Sequence, residues 1–152
     1  MDAQAPRVQV IGQYIKDLSF ENPNAPANLT ARPQIELGVD LQARQVEREH
    51  YEVELKLRVS AQTDGKPAFL LELVYAGLFM LQNIPDEVRN QVLLIEAPHI
   101  LFPFARRIVA DIVRDGGMPP LMIEPIDFAA LYRAKAMEMQ QMRTGTPGQL
   151  DA

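Results

Sequence analysis

The chain has no cysteine in its 152 residues. That excludes a disulfide and any thiolate-ligated metal. It has two histidines, His50 and His99. Their separation makes no metal site, and each reads as a surface or turn residue. There is no HExxH, no GxSxG and no glycine-rich phosphate loop; Gly65-Lys66 lacks the earlier glycine such a loop needs. Glu52 and Glu54 share one strand face, as most strand-surface charges do. The expectation is a protein with no catalytic residue, no metal and no cofactor. If it binds and releases something, release cannot come from its own nucleotide cycle. No apolar run approaches a membrane span, and MDAQAPRVQV carries no apolar signal region. A soluble, cytoplasmic protein without membrane insertion is expected. Basic residues are outnumbered: 15 Lys and Arg against 20 Asp and Glu leave a charge of −5. That argues against nucleic acid as the main partner and leaves basic proteins or peptides open.

What is present is ordinary in amount and ordered in pattern. Hydrophobic residues make up 47% of the chain, normal for a globular protein. The length suits one domain, 1–152, able to bury roughly 68–70% of its unfolded surface. Residues 1–6 and 143–152 read as flexible tails.

Four stretches alternate with a period of two, the mark of strands with one buried face. In the first, Val8, Val10, Tyr14, Leu18 and Phe20 take one side, and Gly12 marks one bulge or bend. Asn22-Pro23-Asn24-Ala25-Pro26 ends it. Ile35, Leu37, Val39 and Leu41 form the second, and Ala43–Glu49 reads as a charged connection. The third runs from Tyr51 through Val53, Leu55, Leu57 and Val59 to Ala61. The fourth, residues 68–81, puts Phe69, Leu71, Leu73, Tyr75, Phe79 and Leu81 on one side. Between the last two lies Thr63-Asp64-Gly65-Lys66, a hairpin turn. A two-residue loop would set Leu57 opposite Glu72. A three-residue loop, Asp64 to Lys66, sets Leu57 opposite Leu73 and Val59 opposite Leu71. The apolar pattern favours the second, with Gly65 or Lys66 left-handed.

Helices follow the strands. Asn83-Ile84-Pro85-Asp86 is a start signal for a short helix over Val88–Ile95, which Pro98 is expected to break. Pro103 then suits the first turn of a second helix. In it Phe104, Ala105, Ile108, Val109, Ile112 and Val113 recur as pairs at every fourth residue, opposite Arg106, Arg107, Asp111, Arg114 and Asp115. Gly116-Gly117 stops it, and Asp127 can cap a last helix opening Phe128-Ala129-Ala130-Leu131-Tyr132. The connection Met118-Pro119-Pro120-Leu121-Met122-Ile123 is nearly all apolar. Connections normally run polar over the surface. Such a loop is either pinned into its own core or kept exposed for docking. Leu70, Val74, Leu78 and Met80 on the other side of the fourth strand are either ordinary exposed apolar surface or a second contact face. The scattered Met137, Met139 and Met142 either fill gaps or suit a promiscuous surface.

Strands first and helices last imply an α+β fold: a four-stranded antiparallel sheet with helices packed on one face, then a C-terminal helix and disordered tail. The broad apolar side of the main helix points to self-association. Leu71, Leu73, Tyr75, Ile108 and Ile112 are the expected oligomer contacts. Phe102, Phe104, Met118, Leu121, Met122, Phe128 and Tyr132 are the candidates for an apolar groove. An enzyme or small-ligand domain is the competing class, but the loop offers it only Asp115, Glu124 and Asp127.

Tyr14-Ile15-Lys16-Asp17-Leu18-Ser19-Phe20-Glu21-Asn22-Pro23-Asn24-Ala25-Pro26, then Ile100-Leu101-Phe102-Pro103-Phe104-Ala105-Arg106, then Gly-Gly-x-Pro-Pro-Leu with Pro125-Ile126-Asp127-Phe128, resemble the SecB family of bacterial protein-export chaperones. The resemblance is colinear from about Val8 to Tyr132. It implies a homotetramer built as a dimer of dimers, with helices between outward-facing sheets. It implies a chaperone that keeps unfolded preproteins translocation-competent and delivers them to SecA, the export motor. It also implies that the zinc-bearing C-terminal tail of SecA docks at Asp17, Glu21, Leu70 and Glu72; the zinc belongs to that partner. A SecB-like chaperone serving a toxin–antitoxin system is the alternative within the family.

Overall fold

The structure, a computed structural model, describes residues 5–151, with side chains over 5–142. Four strands form one antiparallel sheet in the order β1 (Arg7–Glu21), β4 (Lys66–Gln82), β3 (His50–Thr63), β2 (Gln34–Glu47). A 3₁₀ turn at Ala27–Thr30 lies in the segment that crosses from β1 to β2, where the Ala25–Pro26 peptide bond is cis. The helices are α1 (Asp86–Gln91), α2 (Ala97–Asp115) and α3 (Phe128–Asp151). The flexible tails expected at either end fall mainly on residues 1–4, 152 and the side chains of 143–151, which lie outside the described residues.

The register of β3 on β4 is the one the apolar pattern demands: Val59 faces Leu71 and Leu57 faces Leu73. The turn that produces it differs from expectation. Thr63 pairs with Lys66, so the loop has two residues, and Asp64 and Gly65 are both left-handed with φ of 52° and 76°. That is the turn whose twist matches a hairpin. Gln62 then pairs with Pro67 but Ala61 with Phe69. Ala68 is therefore an extra residue, a bulge that restores the apolar register. β2 also runs further than expected. Ala43 to Glu47 continue the strand, and only Arg48 and Glu49 connect it to β3.

β1 carries two irregularities where one was expected, at Val10/Gly12 and Ile15/Asp17. Each inserts one residue and inverts the side-chain parity. Val8, Val10, Leu18 and Phe20 thus lie on the same sheet face as Leu71 and Leu73. Tyr14, between the two bulges, pairs with Ala76 on the opposite face. Its place on the apolar side is corrected accordingly.

The helical region is continuous from Asp86 to Asp115, not broken at Pro98. A π-helical turn, Val92–Glu96, joins α1 to α2, and the Ala97 N–H reaches the carbonyl of Val92. Pro98 sits in the first turn of α2, directly after the π-helical turn. Pro103 lies inside α2, not at its start. The helix ends in a Schellman motif: Met118 N–H reaches Val113 O at 3.3 Å, Gly117 N–H reaches Arg114 O at 3.0 Å, and Gly117 has φ of 92°. Asp127 caps α3, its Oδ1 accepting from Ala130 N–H at 3.0 Å.

The core lies between the sheet and α2. Leu55, Leu57, Val59, Leu71, Leu73 and Phe79 from the sheet meet Leu101, Ala105, Val109 and Val113 from the helix, all essentially inaccessible. Leu71 and Leu73 are therefore core under this chain's own helix, not surface open to a second copy. Gly77 shows how close the layers are: a Cβ there would stand 2.9 Å from Leu101 Cδ2.

Candidate functional site

The seven groove candidates separate by burial. Phe102, Met118 and Phe128 belong to the core, with Phe102 and Phe128 meeting edge-on at 6.1 Å. They are corrected from groove to packing. Leu121 is half-buried against the core. Met122 is 64% exposed and Phe104 43% exposed. Met118 and Ile123 pin the apolar loop into the core, and Met122 stands out into solvent.

Tyr132 lines a cavity of about 440 Å3 between β2, the π-helical turn and α3. Val39, Leu41, Leu94, Leu131 and Met139 share it, and Lys135 reaches Asp40 at its rim at 3.4 Å. Of those five, the sequence singles out only Met139, as one of three scattered methionines; the alternation of Val39 and Leu41 signals no more than a strand's buried side. Because β2 is the edge strand and α2 covers β3 and β4, that side stays partly open. Helix spacing of Leu131 and Met139 on α3 was the available signal.

A second apolar surface runs beside α2. Ile100, Phe104, Ile108 and Ile112 recur every four residues along its outer side. Phe104 stacks on Tyr75 with ring centroids 6.4 Å apart, and Tyr75 pairs across the sheet with Ile15, which is 48% exposed. Of the expected oligomer contacts, Ile108 and Ile112 are on this surface, and Tyr75 lies just beneath it.

The other sheet face is charged. Asp17, Glu21 and Glu72 are exposed there and Leu70 is half-buried, with Glu21 paired to Leu70 and Ser19 to Glu72. A shallow depression of about 360 Å3 holds Asp17, Glu72 and Val74 together with Asp40, Lys56 and Arg58. All four residues expected to meet a basic partner therefore share a face.

Glu52 is on this face too, but it is 4% exposed. Tyr14 Oη donates to it, Lys16 Nζ lies at 2.9 Å and Arg44 Nε at 2.9 Å. Lys16 also reaches Glu54 at 2.6 Å. Burial works to raise the Glu52 pKa, but hydrogen bonds from Tyr14, Lys16 and Arg44 outweigh it and hold the carboxyl at about 2. Burial, then the bond to Glu52, pushes the Tyr14 phenol up to about 12. The outward turn of Tyr14 between the bulges makes this cluster possible. It ties β1 to β3 across Ala76, whose small side chain leaves room.

Among the described residues, no three His, Asp or Glu side chains come together as a metal site. His50 Nδ1 lies 2.9 Å from Arg48 O, and His99 meets Phe128 edge-on at 6.0 Å. No helix among them is long and apolar enough to cross a membrane.

The fold is thus an α+β layer pair with open apolar surface on its helix side and a charged sheet face on the other. A family model described as “Preprotein translocase subunit SecB” matches residues 1–140. Protein-export protein SecB of Paramagnetospirillum magneticum is 54% identical over 138 residues, 88% of each chain. That of Azorhizobium caulinodans is 49% identical over 147 residues, 94% of this chain and 92% of the relative. A SecB-like chaperone of Mycobacterium tuberculosis, solved with an antitoxin peptide, shares the fold with a TM-score of 0.62 at 16% identity, over 79% of this chain and 91% of that one. The chain belongs to the SecB family: it is a protein-export chaperone and not an enzyme.

One prediction follows from Glu52. The folded carboxylate stays ionised to about pH 2, whereas the unfolded one takes up its proton near its ordinary value of about 4.3. The unfolded state therefore binds more protons between those limits, and stability falls as pH drops through the window. With Lys16 and Arg44 solvent-screened, the cluster contributes about 1–3 kcal/mol. Glu52→Gln should lose that much near pH 7 and show a flatter urea midpoint between pH 5 and 2.5. An equally steep decline in the variant would remove Glu52 as the source.

Proposed function

We propose that this chain holds unfolded preproteins in the cytoplasm at the open cavity between β2 and α3 and at the exposed loop residue Met122. The cavity carries the reading: about 440 Å3, with Val39, Leu41, Leu94, Leu131, Tyr132 and Met139 giving it an apolar lining, and Asp40, Asn90, Lys135 and Glu138 as its polar residues. Burying one Leu, Val or Phe side chain of a client contributes roughly 1.5–3 kcal/mol. Fixing each backbone residue costs about 1–2 kcal/mol. One short segment therefore binds weakly, and a long unfolded chain gains by occupying several linked sites. A folded protein offers no such segments, which accounts for selection of the unfolded state. Relatives near half identity bear protein-export names, which favours general export over service to an antitoxin.

Linked sites come from assembly. The outer stripe of α2 and the uncovered side of β1 support a homotetramer arranged as a dimer of dimers, with charged sheet faces outward. Asp17, Glu21, Leu70 and Glu72 then stand free to receive the basic, zinc-bearing tail of SecA. Charge complementarity would speed that encounter and weaken as salt screens it.

Three outcomes are expected. Met122→Asp with Met139→Asp, both at exposed positions, should weaken binding of an unfolded protein about tenfold and leave the thermal midpoint almost unchanged. Wild-type affinity in fluorescence titration would move the client elsewhere. Asp17→Lys with Glu72→Lys should abolish binding of the SecA tail peptide in calorimetry while sparing client binding; salt-independent binding by the wild type would sink the electrostatic part. Ile108→Asp places an unpaired charge on the α2 stripe and should reduce the mass seen by light scattering. If the assembly keeps its wild-type mass, the stripe is not the interface.

A further inference from the structure

We propose that the side-chain amides of Asn22 and Asn28 position the apolar loop after α2 by fastening its first carbonyl to the sheet. Asn22 follows the last residue of β1, and its Nδ2 donates to Gly116 O at 3.0 Å, 94 residues away. Carbonyls at a helix C-terminus have no partner inside the helix, so this amide supplies one that α2 cannot. Asn28, which is buried, donates from Nδ2 to Asn22 Oδ1 at 2.8 Å and to Ala68 O at 3.0 Å. Ala68 is the bulge residue of β4. A relay therefore runs from the sheet through two amides to the residue where α2 stops.

Packing reinforces it. A Cβ on Gly116 would stand 2.7 Å from the Phe20 ring, and one on Gly117 would stand 2.9 Å from Leu29 Cδ2. The end of β1 and the crossover segment thus press on both glycines. At the far end the Asp127 cap holds the loop to α3, and Met118 and Ile123 plug it into the core. Met122 is presented by a loop anchored at both ends. A surface ordered in advance gives up less freedom when a chain docks on it, so the amides act on how long a client stays.

This deepens the client-binding reading above, and the test separates the two. Asn22→Asp keeps the acceptor for Asn28 but sets a carboxylate oxygen against Gly116 O. Asn22→Ala removes both bonds and covers the case in which the carboxylate prevents folding. Asn24→Ala is the contrast, since Asn24 Nδ2 ties the same segment to Pro67 O at 2.6 Å without touching Gly116. Amide hydrogen exchange by mass spectrometry is followed over 117–127 and over β3 in the full chain. Dissociation of reduced, carboxymethylated α-lactalbumin, a chain that stays unfolded, is followed in parallel. Either Asn22 variant should speed loop exchange about five- to tenfold, the scale of one lost hydrogen bond, with β3 unchanged and the client leaving several-fold faster. Asn24→Ala should match the wild type. Loop exchange within twofold of wild type, a rise shared equally by β3, or the same rise in Asn24→Ala would overturn the proposal. Faster loop exchange with unchanged client dissociation supports the positioning and removes the loop from the client site.

Discussion

The pairing of Leu57 with Leu73 and Val59 with Leu71 is the constraint from which the two surfaces of this protein follow. It puts Leu55, Leu57, Val59, Leu71, Leu73 and Phe79 of the two central strands on one side, where α2 closes over them. It puts Glu72, Lys56 and Arg58 on the other. A slip of one residue would set leucines against water and charges against the helix. The two-residue turn alone would impose that slip. The extra residue at Ala68 cancels it, so a local bulge serves the whole sheet.

This explains what could be read from the residues and what could not. The register was legible because alternation in both strands admits one answer. The turn was not, because a three-residue loop and a two-residue loop with a bulge give the same pairing beyond Ala61. β1 failed for a related reason. Two insertions invert parity twice, so both ends of the strand fit one alternation while the middle departs from it. Tyr14 looked apolar by position and is in fact a hydrogen-bond donor on the charged face. The prolines misled through the assumption of a helix break, since a π-helical turn before Pro98 lets the helix continue.

The candidate site divided along burial, which sequence pattern did not assign for the aromatic residues on either side of Pro103. Phe102 and Phe104 are two positions apart, yet one fills the core and the other stands over Tyr75. Helix geometry separates them by about 200°, so they cannot share a face. The cavity at β2 escaped notice because it exists only where α2 stops short of the edge strand and α3 stands over the gap. Alternation in β2 reports a buried side; only the assembled layers show that α2 stops short of it.

The charged face is less acidic than composition suggests. Glu52 is buried beneath Tyr14, Lys16 and Arg44, Glu54 is engaged by Lys16, and Asp40 meets Lys135. These carboxylates have their cations already. Exposed pairs contribute little to stability, but they cancel field at the surface. Asp17, Glu21 and Glu72 have no ion pair within 4 Å among the described residues. The acidic character of this face is therefore concentrated in a small group of exposed carboxylates at the β1–β4 side of the sheet, next to Leu70, and is not a property of the sheet as a whole. The face nearest β1 is also where the crossover segment starts, one residue beyond Glu21. The same strand end thus borders the charged surface on one side and, through Asn22, the apolar loop on the other.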